Sequence, residues 1–145
     1  NIKLRETLRE NMSGTYGVNA SAMQNHFPIS TYTITVQFGC APENVDKLYA
    51  AAMNVIDSVK LMGADATDLL KLKELAAHDR ETRLKDNSFW SQVIMQNDMN
   101  KENILDILEY QKYLDALTGT EFKDLAKKYF NTNNYDKFVL LPVVK

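Results

Sequence analysis

TYTITVQFGCAPENVDKLYAAAMNVIDSVKLMG, residues 31 to 63, changes its period in the middle. Tyr32, Ile34, Val36 and Phe38 alternate with Thr31, Thr33, Thr35 and Gln37. A period of two, carried by β-branched and aromatic residues, predicts a half-buried strand. From Pro42 the apolar positions become Val45, Leu48, Tyr49, Ala52, Val55, Ile56 and Val59. That spacing predicts an amphipathic helix. Pro42 suits its first position and Gly63 the residue just past its end.

Working outward, Leu4, Leu8 and Met12 stand four apart, with Ile2 nearby. They predict a short amphipathic helix that Gly14 can stop. Tyr16, Val18, Ala20 and Ala22 then alternate with Thr15, Gly17, Asn19 and Ser21, which predicts another strand. Gln24 to Ser30, containing Pro28, is a connecting loop too long for a two-residue turn. Downstream, a helix starts near Ala66 and runs to about Asn97, with Leu69, Leu72, Ala76 and Leu84 on its stripe. Asp86-Asn87-Ser88 is placed to kink or break it. Another helical stretch covers Glu102 to Leu117. Thr118-Gly119-Thr120-Glu121 has the spacing of a capping box and opens a last helix carrying Phe122, Leu125, Ala126 and Tyr129. Asn131 to Asn134 reads as a polar loop. Phe138 to Val144, apolar nearly throughout, predicts a closing strand buried on both faces. The fold class is α+β, a small, mainly antiparallel, three-stranded sheet covered on one face by helices.

The 145 residues suffice for one domain with a real core, spanning residues 1–145. Apolar residues make up 45% and charged residues 25%, the profile of an ordinary globular protein. The net charge of −2 and scattered lysines and arginines argue against a nucleic acid or an anionic membrane as partner. No apolar run approaches the roughly 18 residues of a membrane span. The chain opens on Asn1-Ile2-Lys3, already inside a helical pattern, and reads as a fragment of something longer.

Little in the sequence could perform hydrolysis unaided. There are two histidines, His26 and His78. His78 begins His-Asp-Arg-Glu-Thr, where a helical zinc motif of the form H-x-x-E-H would need a second histidine. Glu81 is in place, but the fifth position is Thr82, and one nitrogen ligand does not hold zinc. The metal reading of this chain is therefore none, and His78 reads as a surface histidine near acidic residues. Cys40, the single cysteine, has no neighbouring base and reads as a packed thiol. Phe89 and Trp90 read as core anchors or helix-contact residues, with ligand stacking the minor alternative. The five glycines are spread singly, so no phosphate-binding loop is present, and the six methionines read as core filler.

Arg9 and Tyr16 remain, on either side of a helix-to-strand corner. Locally, Arg9 could form a weak surface ion pair with Glu6, three residues before it, and Tyr16 could be an ordinary strand tyrosine. The ordered set around them is more specific. Leu8-Arg9 followed by Ser13-Gly14-Thr15-Tyr16-Gly17-Val18 resembles the corner in the non-zinc half of pitrilysin-type metallopeptidases, the group that includes insulysin and the mitochondrial processing peptidases. There a tyrosine follows the arginine by seven positions, as here. Gly39-Cys40-Ala41-Pro42-Glu43-Asn44-Val45 resembles the junction into the next helix of those domains. Lys85-Asp86-Asn87-Ser88-Phe89-Trp90 resembles bacterial members. The resemblance covers essentially the whole chain. One departure is Glu10-Asn11-Met12-Ser13, where the insulysin branch has an acid-Gln-Leu-Gly run.

The resemblance implies a LuxS/processing-peptidase-like metallohydrolase fold and, for this chain, most of the last domain of the C-terminal half. It implies a zinc-dependent endopeptidase whose two halves close like a clamshell around a peptide substrate. Zinc would belong to the N-terminal half, on the same chain or a partner subunit, with no cofactor in this fragment. Arg9 and Tyr16 would be the auxiliary catalytic and substrate-binding residues, acting on a carbonyl or oxyanion, and the fragment alone would be inactive. The alternative is a non-catalytic peptide-binding or structural subunit of the same fold. Composition leaves the compartment open; the resemblance leans toward a bacterial periplasm or cell envelope.

Overall fold

The computed structural model describes residues 1–142. These fall into two compact units, one of Asn1–Gly63 with the described residues from Lys123 on, the other of Ala64–Phe122.

The first unit is built on the stretch where the period changes. Strand β1 (Val18–Asn25) and strand β2 (Thr31–Phe38) pair antiparallel, from Val18 opposite Phe38 to Asn25 opposite Thr31. Helix α1 (Ile2–Arg5) precedes them and continues as a π-helical turn over Glu6–Asn11. After β2, a 3₁₀ turn at Pro42–Asn44 leads into α2 (Val45–Met62), which Gly63 ends with φ of 79°. That value lies in the left-handed region where glycine carries no steric penalty.

The core of this unit is Leu4, Leu8, Leu48 and Ala52, with Val18, Ala20, Val36 and Phe38 packed against it from the sheet. One sheet face is thus covered by α1, its π-helical continuation and α2. Alternation predicted this for both strands, because a period of two puts every second residue on one face. Cys40 is half-buried against the same cluster, as a packed thiol should be. The connection between the strands shrinks to residues 26–30, because pairing extends to Asn25.

In the second unit α3 (Ala66–Arg83) and α4 (Asn87–Asn100) replace the single long helix. The break falls at Asp86, whose carboxylate accepts from Ser88 N–H at 2.9 Å and caps α4. A side chain that satisfies free helical N–H groups starts a new helix more readily than it continues an old one. A 3₁₀ stretch, Ile104–Glu109, leads to α5 (Tyr110–Ala116). Phe89 is the buried anchor of α4, with the Arg80 and Arg83 guanidinium groups 5.2 and 5.0 Å from its ring centre. Arg80 also stacks on Tyr110 at 4.8 Å and donates to the Ile107 carbonyl at 2.8 Å.

Helix α6 (Gly119–Tyr129) opens on the expected capping box. Glu121 N–H donates to Thr118 Oγ1 at 3.2 Å, and Thr118 N–H donates back to Glu121 Oε2 at 2.9 Å. The expected closing strand is not formed in its described part. Phe138–Pro142 is irregular, Phe138 is 89% exposed and Leu140 99%, and residues 143–144 lie outside the described residues. Among the described residues the sheet has two strands, and Phe138–Pro142 makes no backbone ladder with either of them, so its apolar composition alone does not make it a strand. The chain leading there is held instead by polar contacts to α2. Lys60 Nζ donates to Thr132 Oγ1 at 3.0 Å, the Tyr49 and Tyr135 hydroxyls meet at 2.6 Å, and Lys137 bonds Asp46 at 2.8 Å.

Candidate functional site

Arg9 and Tyr16 lie at the corner between the π-helical turn and β1. A π-helical turn closes its ring one residue late, and here Met12 N–H reaches the Thr7 carbonyl at 3.2 Å. Ser13 then takes φ of 49°, the left-handed conformation that reverses the chain. Gly14 N–H reaches back to the Leu8 carbonyl at 3.2 Å. Gly14 is needed for space, since a β-carbon there would stand 2.5 Å from Leu48 Cδ2, inside the core.

The corner alternates anchors and exposed donors. Leu8 is fully buried, and Arg9 beside it is exposed. Thr15 is buried, and Tyr16 beside it is 100% exposed. The Arg9 guanidinium and the Tyr16 hydroxyl have no hydrogen-bond or ion-pair partner among the described residues. Lys3, not Arg9, is the cation paired with Glu6, at 3.9 Å. Alternation placed Tyr16 on the same face as Val18 and Ala20; the structure corrects this. The chain bends at Tyr16 before the strand begins at Val18, and the ring turns to solvent.

Thr15 escaped sequence analysis, which put it on the polar face of the strand. Its Oγ1 lies 2.6 Å from the Gly39 carbonyl oxygen and 2.8 Å from that of Gly17, and it accepts from Gly17 N–H at 3.2 Å. No local pattern marks such a residue, because its decisive partner is 24 positions away. Beside Tyr16 a shallow, open cleft of about 400 Å³ is lined by Gly17, Val18, Asn19, Gln37, Phe38 and Gly39.

The residues with metal-ligating chemistry do not assemble. Among the described residues no three His, Cys, Asp or Glu side chains are grouped to hold an ion. His78 is exposed on α3, and Lys85 holds the Glu81 carboxylate at 2.7 Å. That bond, with the lysine's charge, keeps Glu81 below the usual glutamate range. The described residues therefore do not fit a zinc ion.

Residues 1–75 match the family model described as the Peptidase M16 inactive domain. The chain belongs to that family. This bears out the resemblance to the non-zinc half of these peptidases. A curated relative, named "Probable zinc protease PqqL" in Haemophilus influenzae, is 30% identical over 128 residues, which cover 87% of this chain and 14% of that protein. Solved structures show the same fold. The periplasmic protease PqqL from Escherichia coli aligns with a TM-score of 0.69 at 19% identity, covering 89% of this chain and 14% of that one. A conserved protein from Enterococcus faecalis V583 gives 0.70 at 20% identity, covering 87% and 28%. A protease from Helicobacter pylori gives 0.66 at 15%, covering 88% and 30%. The M16 chain described here thus spans between about one seventh and one third of the length of these relatives.

Proposed function

We propose that this M16 domain is part of a zinc-dependent endopeptidase and that Arg9 and Tyr16 are its contribution to the reaction. The observation that carries the reading is the alternation at the corner: two exposed donors without partners among the described residues, each next to a buried anchor. A guanidinium and a phenol are both strong donors, and neither is used by the fold. The π-helical turn under Arg9 adds support, since such turns are frequent at functional sites.

In this reading the zinc-bearing half, on the same chain or a partner subunit, would hold the metal, which would supply the activation of water. Tyr16 donates its hydroxyl hydrogen bond to the peptide carbonyl oxygen as that oxygen gains negative charge. Arg9 binds a neighbouring peptide carbonyl or orients the phenol. Donors fixed in advance around a developing oxyanion are worth most in a water-poor cavity. Because they come from the facing half, they complete the site when the halves close, which couples closure to chemistry. Most of the last domain of the C-terminal half is the place we assign to residues 1–145. The periplasm is the compartment we assign to it, as for the E. coli relative.

The reading is tested by zinc analysis and by cleavage of an internally quenched peptide. The chain alone should hold no zinc and cleave nothing; together with its zinc-bearing half it should hold zinc and cleave the peptide. A complete protein that binds the peptide without cleaving it would place the domain in a non-catalytic binding subunit.

A further inference from the structure

The Tyr16 ring touches nothing that could aim it, being fully exposed. The part of its direction that the domain sets is the Cα–Cβ bond, which its backbone between Thr15 and Gly17 fixes. Both neighbours are held by one atom, Thr15 Oγ1. Its single hydrogen goes to the Gly39 carbonyl, the shorter contact at 2.6 Å, or to that of Gly17 at 2.8 Å, while Gly17 N–H donates to its lone pair.

Gly39 follows the last residue of β2, and Gly17 precedes the first residue of β1. The Thr15 hydroxyl thus adds one tie beyond the final ladder pair, Val18 opposite Phe38. A buried hydroxyl is retained where its hydrogen bonds are made, and Thr15 is one of two polar or charged residues buried among those described.

We propose that Thr15 is the positioning residue for the Tyr16 phenol. Its hydroxyl fixes the backbone on both sides of Tyr16, so that the Cα–Cβ bond carrying the phenol leaves the corner from one place and in one direction. This rests on the reading of Tyr16 given above. A displacement of about 1 Å at a reacting group can cost on the order of 10²-fold in rate, so the tie should be visible in turnover.

The test uses the complete enzyme, this chain with its zinc-bearing half, and an internally quenched peptide. Thr15→Val keeps the shape and removes the hydroxyl. We expect kcat to fall about 10- to 100-fold with KM nearly unchanged. Thr15→Ser should restore kcat to within about threefold, and Thr15→Cys, with its weak S–H donor, should fall between. The decisive readout is the Tyr16→Phe background, where Thr15→Val should cost little more, because no phenol remains to aim. Hydrogen exchange at the Gly17 amide should speed up in Thr15→Val and not in Thr15→Ser. Should the valine variant not fold, the serine and cysteine variants carry the comparison.

Equal losses with and without the Tyr16 hydroxyl would mean a structural role and overturn the proposal. So would wild-type kcat in Thr15→Val and Thr15→Cys. If Tyr16→Phe is impaired while these are not, the positioning role alone falls. If Tyr16→Phe itself turns over normally, the reading of Tyr16 falls, and this proposal with it.

Discussion

Gly14 backs onto Leu48 so closely that a β-carbon at position 14 would stand 2.5 Å from Leu48 Cδ2. Leu48 is 1% exposed and has little room to withdraw. Gly14→Ala should therefore destabilise the protein by about 1–3 kcal/mol, the usual range for overpacking. Leu48→Ala should cost about 2–5 kcal/mol by leaving a cavity. Urea denaturation measures both. A Gly14→Ala variant as stable as wild type would show that the corner does not rest on this contact.

Thr118 and Glu121 cap α6 reciprocally. Thr118→Ala should cost about 0.5–2 kcal/mol, as for other N-caps. The Thr118 backbone N–H, and then its hydroxyl, hold the Glu121 carboxyl below the usual glutamate range. A folded pKa below the unfolded one means that the unfolded chain binds more protons between the two values. The contribution of Glu121 is thus present above the unfolded glutamate value and is lost as pH falls through the folded one. In Thr118→Ala, an NMR titration should find the Glu121 pKa moved up toward its ordinary value.

Lys137 and Asp46 join the C-terminal segment to the first turn of α2 at 2.8 Å, with the ammonium 4.2 Å from the Tyr49 ring centre. The hydrogen bond from Lys137, and then its charge, lower the Asp46 pKa. Lys137→Met should return that carboxyl toward the ordinary aspartate value. In the wild type the contact is complete above the unfolded aspartate value and disappears as pH falls through the folded one. Stability at neutral pH should change little, because an exposed pair contributes little. Carboxyl chemical shifts followed against pH in the two proteins decide this.

Both paired strands and α2 were legible in the sequence because local periodicity and burial agree there: Val36 and Phe38 alternate inward, and Leu48 and Ala52 fall on one helical stripe. The capping box was legible because its hydrogen bonds span three residues. What failed depended on distant partners. Phe138–Leu141 has the composition of a buried strand, but composition does not make the backbone ladder that defines one. Thr15 looked like a surface residue because Gly39 is far away in sequence. Tyr16 was placed on the inward face because alternation was carried two residues past the point where the chain bends. Arg9 and Tyr16 are singled out by resemblance and not by spacing, since exposed donors leave no periodic trace.

The Tyr16 hydroxyl carries the central claim, and removing that one atom tests it. In the complete enzyme, Tyr16→Phe should lower kcat for an internally quenched peptide about 10²- to 10³-fold, the loss typical of one oxyanion donor, or about 2.7–4 kcal/mol in the barrier. The fold should be unaffected, because the exposed hydroxyl has no partner among the described residues. Arg9→Ala should fall in the same direction. Turnover at the wild-type rate in Tyr16→Phe would contradict the account.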